Sequence, residues 1–151
     1  MYGKIIFYEY CFTRKKTIGG EKMRTKTICI GSVFPSTADE IWDKIQHVKT
    51  LQYIAYPYAT FSPLGNGDIT WKEGKIFKFR FKLFGFLSLG IHTINIMVFD
   101  KDALTIYTTE SNKTVPVWNH RITMEETSKS SVKYTDEVEI DAGWKTIFVV
   151  A

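Results

Sequence analysis

The sequence predicts an α+β fold built on a curved antiparallel sheet, and three observations carry that expectation. Helical periodicity of any length occurs once, early in the chain. From residue 58 onward the apolar pattern switches to period two, and turn residues break it at short intervals. One helix followed by a run of hairpins is the pattern of an antiparallel sheet, not the strand–helix alternation of a parallel one. The length of 151 residues fits one domain with one core.

Residues 4–13 and 25–34 read as strands around a turn at Gly19-Gly20, which would bring Cys11 near Cys29. Met23 marks an alternative start, so residues 1–22 are expected to be a basic extension forming an added strand, and residues 23–151 the domain proper. Phe34-Pro35 ends the second strand. Thr37 with Glu40 three positions on forms a capping box, and Asp39 and Glu40 suit the positive end of the helix dipole. Ala38, Ile41, Ile45 and Val48 recur at spacings of three and four, which places an apolar stripe on one face of a helix whose last turn holds His47. A further helical turn is expected over residues 51–54, before Pro57 stops it. Residues 58–64 read as a strand, residues 65–68 as a turn cluster and residues 69–73 as a short segment. After Gly74 comes the plainest strand in the chain, with Phe77, Phe79, Phe81 and Leu83 on one face and Lys78, Arg80 and Lys82 on the other. Residues 91–99 and 103–110 make a hairpin over residues 100–102; residues 117–126 and 131–140 make another over residues 127–130.

The net charge of +4 is concentrated at the start of the chain. Residues 1–26 hold seven Lys and Arg against two Glu, which leaves the remaining 125 residues at −1. No basic stripe with interleaved aromatics occurs elsewhere, so no nucleic-acid partner is expected. Two cysteines give neither a disulfide framework nor a metal spacing, and the three histidines fall at no ligand spacing. There is no phosphate loop or nucleophile elbow, and neither metal nor cofactor is expected. No secretory signal is evident, and the long uncharged run of residues 83–99 is interrupted by Gly85, Gly90, His92 and Asn95. That run reads as strands and a turn, not a membrane span, and a cytoplasmic location is expected.

An antiparallel sheet buries one face and wets the other. Lys78, Arg80 and Lys82 define the outer face of their strand, so the phenylalanines point inward. In the next hairpin the apolar set is Ile94, Ile96 and Val98 with Leu104 and Ile106, and it carries His92 and Glu110 toward its open end. In the last hairpin Trp118, Ile122 and Met124 share a face with Val132, Tyr134, Val138 and Ile140, and His120 and Asp136 fall within that set. A turn centred near Ser128 pairs Met124 with Val132, Ile122 with Tyr134, and His120 with Asp136; a slip of two residues keeps the faces and loses the pairs. An inward carboxylate needs a partner, and His120 supplies one. A structural tie, a ligand contact and acid–base chemistry all stay open for that pair. His92 with Glu110 reads as a solvated pair near strand ends, and His47 as a charge at the helix C-terminus. Trp71 and Trp118 suit either a core or a cavity wall.

The order of strand, proline, capped helix, strands and two long hairpins resembles the START-related helix-grip superfamily, which includes polyketide cyclase-like and lipid-transfer proteins. Residues 33–42 look like that family's passage from first strand to first helix. Trp71, Glu73, Gly74 and Phe77 resemble its Trp-x-Glu-Gly-x-x-Phe segment, and Trp118-Asn119-His120-Arg121 its His-containing sixth strand. Residues 134–138 and Gly143-Trp144 look like its last strand and the step into a closing helix, so the resemblance covers roughly residues 25–148. It implies a cavity between the sheet and a C-terminal helix, binding lipids, polyketides or other hydrophobic molecules. The inward faces then supply the expected ligand contacts: Trp71, Phe77, Phe79, Phe81, His92, Ile94, Ile96, Ile106, Glu110, Trp118, His120, Ile122, Tyr134 and Asp136.

The expected function is binding of a hydrophobic small molecule without catalysis, because the inward surface is aromatic-rich with few convergent polar groups. The rival is a cyclase or dehydratase with His120 as base and Asp136 or Glu110 orienting it. A third reading is a protein-interaction adaptor that docks through its sheet. A lid helix needs roughly 20 residues to cross such a sheet. Only a few residues follow Gly143-Trp144, ending in the apolar run 147–151. The closing helix is therefore expected to be missing or shortened, with residues 1–22 or a second copy in its place, the latter giving a homodimer through the open face.

Overall fold

The computed structural model describes residues 5–7, 17–18, 21–22 and 25–141. Three short strands come first: β1 (Ile5–Phe7), β2 (Thr17–Ile18) and β3 (Glu21–Lys22). The last two pair with each other across residues 19–20. β1 pairs antiparallel with β4 (Lys26–Phe34), setting Ile5 opposite Val33 and Phe7 opposite Gly31. Cys11, Gly143, Trp144 and the apolar run 147–151 lie outside the described residues.

The capping box forms as its residue types dictate. Glu40 N–H donates to Thr37 Oγ1 at 3.3 Å, and Thr37 N–H donates to the Glu40 carboxylate at 3.1 Å. It opens α1 (Ala38–Ile45), which is shorter than the stripe of apolar residues suggests. A second helix, α2 (Val48–Ala55), follows at once, and His47 is its extended N-cap rather than a residue of the first helix's last turn. The break has a backbone cause. Residues 69–71 run alongside the junction, where Val48 N–H donates to the Ile69 carbonyl and Trp71 N–H to the Gln46 carbonyl, at 3.0 and 2.9 Å. Those bonds replace helical ones and hold His47 opposite Thr70.

The remaining strands are β5 (Ala59–Pro63), β6 (Ile76–Leu83), β7 (Leu87–Asp100), β8 (Thr105–Ser111), β9 (Val117–Ser128) and β10 (Ser131–Asp141). With β1 and β4 they form one eight-stranded antiparallel sheet in the order β1-β4-β10-β9-β8-β7-β6-β5. The long crossover from β4 through the helices to the opposite edge lays α1 and α2 across the concave face.

Two irregularities on β7 shape that face. Between Arg80 and Lys82 the β6–β7 register shifts around Gly90, whose φ of 78° suits glycine alone among common residues. Between Ile96 and Val98 the β7–β8 register shifts again, leaving Met97 unpaired. That bulge reverses the alternation, so Phe99 and not Val98 packs onto the core, against Trp42 at 4.9 Å between ring centroids.

The core lies in two main clusters under the helices. Ala38 and Trp42 of α1 pack on Ile106, Met124 and Val132. Val48 of α2 packs on Phe79, Ile94 and Ile96. No helix among the described residues is long and apolar enough to cross a membrane.

Candidate functional site

Between these clusters the helices stand off the sheet and leave a cavity of about 320 Å³. Its sheet wall carries Ile94, Ile96, Ile106 and Ile122, its helical wall Ile45, Leu51 and Ile54, and its aromatic side Phe61, Trp71 and Phe81. Polar groups gather on the central strands, where His92, Thr108, Glu110, His120, Tyr134 and Asp136 all face the cavity.

The first polar network is buried. His92 is 1% exposed, and its ring is flanked by Phe81 and Trp118 at 5.3 and 5.5 Å. Glu110 lies opposite Ile94, one step diagonal from His92, and their side chains meet at 2.7 Å. The pair is therefore not solvated, because β7 continues past His92 to Leu87 and aromatic rings cover it. Its tautomer follows from the neighbours. Asn112 Oδ1 accepts from the backbone N–H groups of Thr114 and Val115 at 2.9 and 2.8 Å, so its amide nitrogen turns toward His92 Nδ1, 3.1 Å away. Nδ1 must accept, and the ring proton sits on Nε2 and is donated to Glu110. Thr108 Oγ1 donates to the other Glu110 oxygen at 2.6 Å.

The second network crosses the last hairpin. The observed register sets His120 opposite Val138 and Asp136 opposite Ile122, two residues from the expected alignment, because the chain reverses over residues 129–130 and not about Ser128; the irregularity at Ser131/Val132 takes back one residue of that offset. Tyr134 accordingly faces Met124, and Val132 faces Glu126. The faces survive, and the His–Asp bond survives too, because both side chains reach diagonally across the ladder. His120 Nδ1 lies 3.0 Å from each Asp136 oxygen. The two side chains are 25% and 21% exposed, and that open surface adjoins the cavity they line.

Burial alone would push the His120 imidazole down. The negative charges of Asp136 and Glu110 outweigh it and, with the hydrogen bond to Asp136, raise its pKa to about 9. At neutral pH His120 is therefore an imidazolium. Its Nδ1–H points to Asp136, its Nε2–H has no described partner, and among the described residues no side-chain polar atom sealed from solvent lacks one. Among the described residues Nε2–H has no acceptor, and His120 lines the cavity. Burial pushes Glu110 up, but the His120 charge and the hydrogen bonds from His92 and Thr108 prevail and hold its carboxyl below the usual carboxylate value. Burial, then the Asp136 charge, push the Tyr134 phenol above its usual value.

Of the fourteen expected contacts, twelve border the cavity. Phe77 and Phe79 do not. Phe79 is fully buried against Phe61 and Trp71, and Phe77 packs on the edge of Trp71, so both support the wall from behind. Sequence reasoning missed Thr108, which shares a face with Ile106 and Glu110, and Phe61, flanked by Ala59 in the same alternation. It also missed the α2 contributors Leu51, Ile54 and Ala55, whose three-and-four spacing was the available signal. The described residues hold no group of three or more His, Cys, Asp or Glu placed to bind a metal ion.

No family model matches the sequence, and no curated protein matches it either. Solved structures do match. Protein Ms6760 from Mycobacterium smegmatis superposes with a TM-score of 0.63 at 12% identity, over 82% of this chain and 78% of that one. Norcoclaurine synthase from Thalictrum flavum, in complex with dopamine and hydroxybenzaldehyde, gives 0.56 at 16% identity, over 89% and 84%. The Zhui aromatase/cyclase from Streptomyces sp. R1128 gives 0.56 at 10% identity, over 80% and 70%. At such identities the likeness establishes the helix-grip α+β fold.

Proposed function

We propose that this chain binds a compact hydrophobic molecule whose polar end accepts a hydrogen bond from His120, and that it does so without catalysis. The observation that carries this reading is the gathering of all the ionisable side chains that line the cavity on one side, His92, Glu110, His120, Tyr134 and Asp136, within largely apolar walls around about 320 Å³. Ligand sites commonly combine apolar walls with a few placed polar groups, in volumes of about 300–1,000 Å³. This cavity is at the small end of that range, which favours one or two rings or a short chain over a diacyl lipid.

The polar cluster also selects the ligand's chemistry. His92, Thr108 and Glu110 already satisfy one another, so a ligand gains little by competing with them. The imidazolium Nε2–H of His120 is a donor without a described acceptor, and a phenol, ketone or carboxylate oxygen would fill that role. The fold neighbour crystallised with dopamine and hydroxybenzaldehyde lends support, since both are small oxygenated aromatics. Native mass spectrometry against oxygenated aromatics, medium-chain fatty acids and sterols tests the proposal. A one-to-one complex with the compact aromatics is expected, weakened at least several-fold by His120→Leu. Absence of any complex, or preference for sterols, would overturn it.

One observation favours a catalytic reading: a hydrogen-bonded His120–Asp136 pair lines the cavity, and Nε2 of its imidazole has no partner among the described residues. An imidazolium with a pKa of about 9 suits proton donation, so the catalytic role would be that of a general acid and not a base. His120→Gln separates the two readings, because the amide still donates a hydrogen bond but cannot transfer a proton. Turnover lost with binding retained would establish the enzyme.

A further inference from the structure

The cavity opens beside a surface that neither the fold nor the polar cluster explains. α2 ends in Ile54 and Ala55, and β5 begins at Ala59; all three line the cavity. Tyr56 and Tyr58 stand exposed between them. The tip of the β6–β7 hairpin is tied to this rim by Phe84 N–H, which donates to the Tyr58 carbonyl at 2.7 Å. At that tip Phe84 is 59% exposed, Phe86 is 80% exposed, and Leu87 is exposed beside them. The rings of Phe84 and Phe86 lie 6.4 Å apart. Ile54 joins the two surfaces, because it borders the cavity and is itself mostly exposed.

The backbone makes this tip more unusual. Phe86 N–H donates to the Leu83 carbonyl, and Phe84 and Gly85 have φ of 52° and 76°, the pattern of a type I′ turn. The first central position of that turn favours Asn, Asp or Gly, and a bulky side chain there is a conformational outlier. A large apolar residue at a strained, solvent-facing position does nothing for folding. Such conflicts between local preference and structure mark places kept for another reason.

Charge identifies the partner. Residues 50–67 and 74–99 contain Lys75, Lys78, Arg80 and Lys82 and no Asp or Glu, while Lys49 is paired with Asp68. Lys78, Arg80 and Lys82 lie exposed along the outer face of β6, leading to the aromatic tip. A protruding aromatic tip backed by cations fits the boundary of an anionic bilayer, where rings settle at headgroup depth and lysines meet lipid phosphates and carboxylates. A second copy fits poorly, because a two-fold contact of tip on tip would bring the β6 cations of both chains together.

We propose that the hairpin tip at residues 84–87, with Tyr56 and Tyr58, docks this chain reversibly on anionic membrane surfaces with the cavity mouth facing the lipid. On the ligand-binding reading, a hydrophobic molecule dissolved in the bilayer would then enter without crossing water. The docking itself needs no ligand, so its test is independent of that reading.

The test is flotation of the full chain with vesicles of phosphatidylcholine alone and with about one third phosphatidylserine. Binding to the anionic vesicles is expected, falling as salt is raised. The double substitution Phe84→Asn, Phe86→Ser should reduce it by at least about tenfold through lost apolar insertion. Phe84→Asn restores the preferred Asn-Gly turn, so the variant should melt no lower than the parent chain. Lys78→Gln with Lys82→Gln should weaken anionic-vesicle binding by roughly fivefold per lysine and leave neutral vesicles unaffected. Failure to float with anionic vesicles, or equal flotation of the tip variant, would overturn the proposal. So would a dimer by light scattering that the tip substitutions dissolve, since it would assign the surface to a second copy.

Discussion

Replacing Asp136 by Asn should reshape the pH dependence of stability more than its absolute level at mildly acidic pH. His120 has an ordinary pKa of 6.5 that the folded structure raises to about 9, a difference worth about 3 kcal/mol. The sign follows from which state holds the proton. Below pH 6.5 folded and unfolded chains both carry it, and the full contribution is present. As the pH rises, the unfolded chain releases its proton first, the contribution shrinks, and above about 9 it is gone. Glu110 works in the opposite sense, since its lowered pKa contributes above its ordinary 4.5 and is lost as the pH falls. The contributions of these two groups are together largest at mildly acidic pH, between about 4.5 and 6.5, well below the isoelectric point of about 9.0. In Asp136→Asn the new amide oxygen still accepts from Nδ1–H but no longer attracts the imidazolium, so burial regains weight and the His120 pKa falls. Urea denaturation from about pH 5.5 to pH 9.5 should show the parent chain losing about 3 kcal/mol and Asp136→Asn about 1 kcal/mol or less. A histidine NMR titration of both chains supplies the matching pKa values. Equal slopes in the two chains, or a denaturation midpoint flat across that range, would refute the reasoning.

Three further substitutions probe the frame around the site. Phe79→Ala removes a fully buried ring from between Phe61 and Trp71 and should cost about 3–5 kcal/mol in a denaturant titration. Thr37→Ala breaks the capping box and should cost about 1 kcal/mol by the same measure. Asn112→Ala leaves two backbone N–H groups and His92 Nδ1 without partners and should cost about 2–3 kcal/mol.

The elements and their faces were legible because they rest on period. Thr37 and Glu40 announced the helix start, and the alternation of Phe with Lys and Arg over residues 77–83 oriented its strand without ambiguity. What stayed hidden were features that add or remove one residue from a ladder. Met97 looks like any apolar strand residue, yet its bulge turns Val98 away and brings Phe99 in. The last hairpin reverses over residues 129–130, and with the one-residue irregularity at Ser131/Val132 its ladder ends two residues from the alignment expected for a turn at Ser128; only the reach of His120 and Asp136 preserved their bond. The break between α1 and α2 depends on residues 69–71, more than twenty positions away, so no local signal at His47 could disclose it. His92 and Glu110 were misplaced in burial for a similar reason, since the rings covering them come from β6 and β9.

Six isoleucines line the cavity, Ile45, Ile54, Ile94, Ile96, Ile106 and Ile122, while Ile76 and Ile91 stand exposed elsewhere. A ¹³C-methyl NMR titration of isoleucine-labelled protein with a small phenolic or aromatic ketone ligand therefore reads the cavity directly. The account predicts saturable shifts in several of those six methyl groups at one-to-one stoichiometry, with the His120 ring signals moving in step and Ile76 and Ile91 unchanged. Shifts confined to exposed methyl groups, or none in the six at saturating ligand, would contradict it.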